Sequence, residues 1–296
     1  MNARTLTILD GGTGRELARI GAPFAQPEWS ALALIEAPHF VSRVHAAYVA
    51  AGADVITTNS YAVVPFHIGA DRFAQQGEAL AALAGRLARE VADNAAGPVA
   101  VAGALPPICG SYRADLFDPA VAAPILRTLV AGLAPFADHW QAETLSSLAE
   151  AELVREVLGQ DQLPLWLSFT LEDEIEGPPR LRSGETVADA ASKAVHLGAA
   201  ALLFNCSQPE VMAAALAVAR PVLADTAIRL GVYANAFPPQ GDQAQANATL
   251  HPIREDLTPE GYLGFARHWR DCGADIIGGC CGIGPEHIAR LRSGLT

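Results

Sequence analysis

The chain has 296 residues, 51% of them hydrophobic, and carries 20 Lys and Arg against 32 Asp and Glu, for a formal charge of −12. The acidic balance and the lack of a basic run exclude the usual kinds of nucleic-acid-binding protein. No stretch approaches the roughly 18 consecutive apolar residues of a membrane-spanning helix, so a membrane protein is excluded as well.

Eight short strand-like segments alternate along the chain with longer, alanine-rich segments of helical periodicity. The predicted strands are 6–9, 54–58, 98–102, 139–144, 165–169, 201–205, 229–233 and 275–278. The predicted helices are 38–51, 78–93, 120–137, 147–158, 187–197, 209–219 and 259–271. Short apolar strands joined by helices are typical of a parallel sheet that is covered on both faces. Eight such units predict an α/β fold, the (β/α)₈ or TIM barrel.

Local signals support this division of the chain. Glycine stands just before three of the strands, at Gly52, Gly198 and Gly273, where a left-handed residue would end the preceding helix. The segment 238–250 is rich in polar residues, Pro and Gly, and we predict an exposed loop there. Because no longer repeat and no shift in composition divides the chain, we expect one domain over residues 1–296.

In such barrels the chemistry lies where the strands end and the loops to the helices begin. Five groups of candidate residues occupy these positions, so all five should share one face of the barrel. They are 10–12 after the first strand, 57–61 after the second, Glu143 at the fourth, 205–206 at the sixth and 280–281 at the eighth.

Five cysteines and the absence of a secretion signal in the first ten residues indicate a cytoplasmic protein with reduced thiols, rather than a disulfide framework. Cys280 and Cys281 are flanked by glycines that can bend the chain so that both thiols reach one ion, and Cys206 offers a third. Three thiolates with an open fourth position are typical of a reactive zinc site. Buried, inert cysteines are the alternative, which we prefer for Cys272 and for Cys109.

The charge of such a centre favours one kind of chemistry. Three thiolates and Zn²⁺ sum to −1, and a substrate thiolate makes −2, so the bound sulfur would be electron-rich and deprotonated at neutral pH. Hydrolytic zinc sites more often use histidine or carboxylate ligands. An all-sulfur set therefore indicates thiol alkylation. Clustered thiols also oxidise when a metal is lost, which leaves a disulfide as the alternative state.

The candidate segments together resemble the homocysteine S-methyltransferase family, in order and over nearly the whole chain. They are Asp10-Gly-Gly-Thr-Gly-Arg-Glu-Leu17, Thr57-Thr-Asn-Ser-Tyr61, Glu143-Thr144, Asn205-Cys206 and Gly278-Gly-Cys-Cys-Gly-Ile-Gly-Pro-Glu-His-Ile288. The last of these is the specific one. The resemblance implies a (β/α)₈ barrel that holds zinc through Cys206, Cys280 and Cys281.

The resemblance also implies roles for residues around the metal. Asp10 and Glu143 would bind the amino group of homocysteine, and Gly11 and Thr57 would complete that site, with Thr57 near the carboxylate. Tyr61 matches a position that touches the methyl donor in the betaine-using branch, and an aromatic face suits a cationic donor.

Other residues near the predicted site keep two interpretations. Trp29, Tyr233 and Phe237 either extend an aromatic cage or pack the core, and we prefer packing. His287 falls in the last helix and is assigned to structure. The segments 61–69, 105–110 and 233–237 depart from the usual family sequence, and these loops are expected to form the donor pocket, so donor identity stays open.

We therefore expect a zinc-dependent methyltransferase that moves a methyl group from S-methylmethionine or S-adenosylmethionine to homocysteine, giving methionine. A small-molecule thiol and a methyl donor are the expected partners, with no nucleic acid and no membrane. The chain has no room for a folate or cobalamin domain. The alternatives are a betaine-type donor, a different thiol or selenol acceptor, and a non-catalytic zinc-stabilised binding barrel. Asp10 and Glu143 argue against the last, because a scaffold would not need them.

Overall fold

A computed structural model describes residues 5–173, 177–239 and 252–296, and its strands form one parallel sheet that is curled into a barrel. The strands are β1 (Thr7–Ile8), β2 (Val55–Thr57), β3 (Ala100–Leu105), β4 (His139–Leu145), β5 (Leu165–Phe169), β6 (Ala201–Asn205), β7 (Arg229–Ala234) and β8 (Ile276–Gly279). They pair in the order β1-β8-β7-β6-β5-β4-β3-β2, and a bridge between Leu9 and Val55 joins the two ends. The predicted (β/α)₈ barrel is confirmed.

Helices surround this sheet. They are α1 (Thr13–Arg19), α2 (Ser30–Glu36), α3 (Pro38–Ala50), α4 (Pro65–Ile68), α5 (Ala70–Asp93), α6 (Pro119–Leu133), α7 (Leu148–Leu158), α8 (Val187–His196), α9 (Pro209–Val222), α10 (Pro259–Asp271) and α11 (Pro285–Leu295). The seven predicted helices are all present, six with shifted ends and 259–271 unchanged as α10. Over the part of the chain that is described, none of the helices combines the length and the apolar character needed to span a bilayer.

The ends of the helices follow from local chemistry. Proline, whose fixed φ suits a first helical turn, begins α3, α6, α9, α10 and α11. Ser147 and Glu150 form a capping box at the start of α7. Gly52, Gly198 and Gly273 have φ of 96°, 66° and 103°, as expected for glycines that end helices before a strand.

The strand that departs furthest from its prediction is β3. β3 was expected at 98–102 and instead occupies Ala100–Leu105, because pairing with β4 continues to Leu105 opposite Ala142. Within this extension Gly103 makes room for a neighbour, since a Cβ there would lie 2.9 Å from the Trp140 ring. The predicted loop 238–250 lies, from residue 240 onward, outside the described residues.

Apolar side chains fill both sides of the sheet. The larger cluster lies between strands and helices, and a smaller one fills the barrel interior. The interior residues are Leu9, Val55, Ala102, Trp166, Ala201, Leu203, Tyr233 and Ile276. Two of these residues, Leu9 and Tyr233, also line a cleft at the carboxyl ends of the strands, where the candidate residues lie.

His45 on α3 gives a test of the packing. It is fully buried, and neither ring nitrogen has a hydrogen-bond partner among the described residues. Burial lowers its pKa to about 4, so the ring is neutral, yet its polar atoms have lost water without compensation. We expect His45→Leu to raise the free energy of unfolding, measured in urea, by about 1–2 kcal/mol. A loss of stability would show that the ring is hydrogen-bonded after all.

Candidate active site

Three cysteine sulfurs converge at the carboxyl end of the barrel. Cys206 directly follows β6, and Cys280 and Cys281 directly follow β8. Their Sγ atoms all lie within 4.8 Å of one another. Cys206 and Cys280 form a disulfide, whereas Cys281 is free. This pair thus takes the disulfide form, the alternative state that the sequence left open, because the two strand ends hold their Cα atoms 5.7 Å apart, a separation that a disulfide spans. The reduced, metal-binding form of the cluster stays a prediction.

The same cluster fits a metal ion when the pair is reduced. Tetrahedral zinc holds thiolate sulfur at about 2.3 Å, which places ligand sulfurs roughly 3.8 Å from one another. Sulfurs that already lie within 4.8 Å need only small side-chain rotations to reach that arrangement. Burial raises the pKa of the Cys281 thiol to about 11, although the nearby Arg15 guanidinium opposes this shift. The donor set is entirely sulfur, as the sequence suggested.

Glycines around the cysteines allow this convergence. β8 ends at Gly279, so neither cysteine is bound by the alternation of side chains along a strand. Gly282, with φ of 87°, then turns the chain back. Gly12 packs directly against this segment, since a Cβ on it would lie 2.7 Å from the Cys280 carbonyl oxygen. Gly11 likewise permits close approach, because a Cβ there would lie 2.1 Å from the Ile283 carbonyl oxygen.

Two buried carboxylates lie beside the cysteines. Asp10 is 3% exposed and Glu143 is 9% exposed. Burial raises the pKa of Asp10 to about 7, although two hydrogen bonds from Thr57 oppose the shift. Burial, and next the charge of Asp10, raise the pKa of Glu143 to about 8. These carboxylates interact electrostatically, so an added cation between them would relieve both the burial cost and their mutual repulsion.

Thr57 acts on one of these carboxylates. Its backbone N–H donates to Asp10 Oδ2 at 2.7 Å, and its hydroxyl donates to Oδ1 at 2.9 Å. Thr57 therefore fixes the orientation of Asp10, a role that the sequence did not predict for it.

A cleft at this end of the barrel brings together every residue that the sequence singled out. These residues are Asp10, Gly11, Thr57, Tyr61, Glu143, Cys206, Cys280 and Cys281. Trp29, Tyr233 and Phe237, for which packing was preferred, also line the cleft with their rings. Among the described residues of its lining, none is Lys, Arg or His. A cleft with buried carboxylates, thiols and aromatic walls suits cationic molecules better than anionic ones.

Gln141 is a cleft residue that sequence reasoning missed. Its Nε2 donates to the Tyr233 hydroxyl at 3.2 Å, and its buried Oε1 has no hydrogen-bond partner among the described residues. It precedes Glu143 by two positions on β4, so both side chains point to the same face of the strand. That spacing was the available signal.

Asn205 organises the end of β4 from β6. Its Oδ1 accepts hydrogen bonds from the Thr144 N–H at 2.9 Å and from the Ser168 hydroxyl at 2.7 Å, and its Nδ2 donates to Thr144 Oγ1 at 2.8 Å. Thr144 has φ of 58°, which is unusual for a β-branched residue. The Asn205 amide thus holds a strained residue directly beside Glu143.

The residues that were assigned to structure behave accordingly. Cys109 makes sulfur contacts with the backbone of Asp118, at 3.5 and 3.8 Å, and lies outside the thiol cluster. Cys272 caps the end of α10. His287 receives a hydrogen bond from the Gly284 N–H at 3.2 Å and contacts the Leu257 carbonyl at 2.9 Å, so it ties α11 to the rest of the fold.

Comparison with known proteins gives one consistent result. A family model described as homocysteine S-methyltransferase matches residues 7–295. The homocysteine S-methyltransferase of Escherichia coli K12 is 31% identical, over 99% of this chain and 96% of that relative. The selenocysteine methyltransferase of Astragalus bisulcatus is 26% identical, over 98% and 92%. The crystal structure of the homocysteine methyltransferase MmuM from Escherichia coli, in its metallated form, matches with a TM-score of 0.77 and 28% identity, over 98% and 96%.

Proposed function

The chain belongs to the homocysteine S-methyltransferase family and is a methyltransferase that acts on homocysteine; we propose that its methyl donor is a sulfonium compound and that Zn²⁺ activates the acceptor thiol. One observation carries this proposal, the convergence of three cysteine sulfurs beside two buried carboxylates in one cleft. S-methylmethionine is the first candidate donor and S-adenosylmethionine the second.

Cys206, Cys280 and Cys281 would hold the ion in their reduced state. When bound, Zn²⁺ supplies an open fourth position at which the homocysteine thiol loses its proton at neutral pH. Asp10 and Glu143 would hold the substrate ammonium through charge-assisted hydrogen bonds, with Thr57 keeping Asp10 in place. This arrangement fixes homocysteine at both its sulfur and its amino group.

The methyl transfer itself balances without another cofactor. The homocysteine sulfur forms a bond to the methyl carbon, and the bond between that carbon and the donor sulfur breaks, with its electron pair returning to the donor. A thiolate and a sulfonium thereby become two neutral thioethers. The cleft favours such a donor because its described lining holds two carboxyl groups and no Lys, Arg or His, and because Trp29 and Tyr61 offer aromatic surface for a cation. The Phe237 ring already faces the Arg15 guanidinium, at 5.3 Å from its centre. A methyl-folate, which is anionic, fits this lining poorly.

Turnover by the reduced, zinc-loaded protein tests the proposal. Homocysteine is supplied with S-methylmethionine, S-adenosylmethionine or betaine, and methionine is measured. We expect methionine with a sulfonium donor and little or none with betaine. Selenocysteine is the second acceptor to try, because one relative is a selenocysteine methyltransferase. Bound zinc without turnover on any donor would overturn the proposal in favour of a non-catalytic binding barrel.

Homocysteine binding should strengthen as the pH rises from about 6 to about 8. In the free protein the pKa of Asp10 is raised to about 7 and that of Glu143 to about 8, so protons must leave before the pair can hold an ammonium. Both folded-state pKa values are raised above those of the unfolded chain. The free energy of unfolding of the free protein should therefore fall as the pH rises through the pKa values of about 7 and about 8. Calorimetric titration in buffers of different ionisation enthalpy measures the released protons. An affinity that stays constant across this interval would contradict the assignment.

A further inference from the structure

Two consecutive residues of the loop between β3 and α6 contact two different residues of the cleft lining. The Ser111 hydroxyl lies 2.5 Å from the hydroxyl of Tyr61. The Tyr112 hydroxyl donates a hydrogen bond of 3.0 Å to the backbone carbonyl of Cys206. Gly110 and Tyr112 have φ of 121° and 66°, and this left-handed turn directs both side chains inward. Tyr112 keeps a conformation that is strained for a non-glycine residue.

We propose that the Ser111–Tyr112 turn positions the two halves of the active site relative to each other, with Tyr112 fixing the metal ligand Cys206 and Ser111 fixing Tyr61 at the donor. This inference rests on the proposed function, because it takes Cys206 as a ligand and Tyr61 as part of the donor site. Neither Ser111 nor Tyr112 needs to touch the reacting atoms. Both are positioning residues.

Cys206 needs such support because its own backbone is strained. Its φ of 49° is left-handed, a conformation that a cysteine keeps only when its surroundings impose it. Its N–H makes a 3.3 Å bond to the Tyr233 carbonyl. Its carbonyl accepts from Tyr112 at 3.0 Å and from Thr170 at 3.5 Å, so the tyrosine provides the shorter of these restraints. Relaxation of this φ would swing the Cys206 sulfur away from Cys280 and Cys281.

A buried ion pair also restrains Tyr112. The Arg182 guanidinium lies 4.9 Å from the centre of the Tyr112 ring. Arg182 pairs with Asp173 at 2.8 Å, and both side chains are 4% exposed. The other oxygen of Asp173 accepts a hydrogen bond from the Gln208 N–H at 3.0 Å, two residues beyond Cys206. These contacts form a closed circuit from Tyr112 through Arg182, Asp173 and Gln208 back to Cys206, which Tyr112 itself contacts. The circuit restrains the position of Tyr112.

Ser111 acts on Tyr61, the residue of the proposed donor site. Tyr61 lines the cleft and is only partly buried, so its ring would otherwise be able to rotate at the cleft wall. The contact with Ser111, together with an interaction with the Thr144 side chain, fixes its hydroxyl and therefore the plane of the ring. A cation is attracted to the ring face, so the angle of that plane sets where a sulfonium methyl lies relative to the thiol.

Three single variants of the full chain separate these roles. Zinc affinity is measured on the reduced protein by competition with a chromophoric chelator, and kcat and KM are measured with S-methylmethionine. Tyr112→Phe should weaken zinc binding about tenfold, the effect of one buried hydrogen bond. Ser111→Ala should leave zinc affinity within about twofold but raise KM for the donor or lower kcat by about three- to tenfold.

Tyr48→Phe is the matched control. Its ring is fully buried, and its hydroxyl also donates to a backbone carbonyl, that of Ile283, at 3.1 Å. We expect a similar loss of thermal stability to that of Tyr112→Phe, with zinc affinity close to that of the wild type. Equal loss of zinc affinity in both tyrosine variants would reduce the effect to general destabilisation and overturn the inference.

The remaining outcomes are equally decisive. Unchanged zinc affinity in Tyr112→Phe would show that this hydroxyl does not position Cys206, and a donor KM effect alone would make Tyr112 a substrate contact instead. Unchanged donor kinetics in Ser111→Ala would remove the second half of the inference. Failure of the proposed function has a different signature, since wild-type protein would then bind no zinc or make no methionine.

Discussion

Cys281→Ser is expected to weaken zinc binding so far that the purified protein loses its zinc and its methyl transfer, while the barrel stays folded. Zinc bound by four ligands is stabilised by about 10–16 kcal/mol, so one thiolate accounts for roughly 2.5–4 kcal/mol, or about 10²–10³ in affinity. Without the ion, the homocysteine thiol keeps its ordinary pKa of about 8.5 and is mostly protonated at neutral pH. Cys280 packs against the apolar cluster of the barrel interior, whereas Cys281 belongs to neither apolar cluster, so the fold should not depend on Cys281.

The measurement compares zinc content, circular dichroism and methionine formation in protein that was reduced before loading. Reduction is required because Cys206 and Cys280 are otherwise paired with each other. Cys272→Ser is the matched control, since this cysteine caps α10 away from the cluster and should keep both zinc and activity. A Cys281→Ser protein with wild-type zinc content would show that the ligand assignment is wrong.

The barrel could be predicted because its strands are short and apolar and alternate with segments of helical periodicity. β5 and β6 occupy the predicted residues 165–169 and 201–205, and each is fully buried, as a run of apolar residues between two helices indicates. The helices α1 and α2 were missed because each has only seven residues, too few to show a helical period. The end of β3 was predicted too early because its last residues are fixed by pairing with β4, as far as Leu105 opposite Ala142, and this pairing cannot be read from the β3 segment alone.

The candidate site could be assembled for a similar reason. Parallel strands end at one face, so the rule for strand ends gathered Asp10, Glu143 and Cys206 without any knowledge of distances. Ser111 and Tyr112 were out of reach, because their contacts depend on a left-handed turn that no residue type announces at Tyr112. Residue propensities indicate which backbone conformations are low in energy, whereas functional sites often keep backbone conformations of higher energy.

Glu143→Gln is expected to weaken homocysteine binding about 10- to 100-fold with zinc content unchanged, since a hydrogen bond to a charged group contributes about 1.5–3 kcal/mol. The substitution keeps the size of the side chain and removes its charge, leaving Asp10 as the single carboxylate for the substrate ammonium. Calorimetric titration of the zinc-loaded protein with homocysteine measures the change. The matched control is Glu150→Gln, because Glu150 is also buried and its pKa is raised to about 7, but it caps α7. That variant should lose stability and keep its homocysteine affinity.

A substrate analogue makes the Glu143→Gln result specific to the amino group. 4-Sulfanylbutanoate has the thiol and the carboxylate of homocysteine but no ammonium, so it has nothing for Glu143 to hold. Wild-type protein and Glu143→Gln should therefore bind this analogue about equally, and the variant should lose the part of the pH dependence that belongs to the pKa of about 8. If the variant loses the same affinity for the analogue as for homocysteine, the carboxylate acts on the thiol or on the shape of the cleft, and the ammonium must be bound elsewhere.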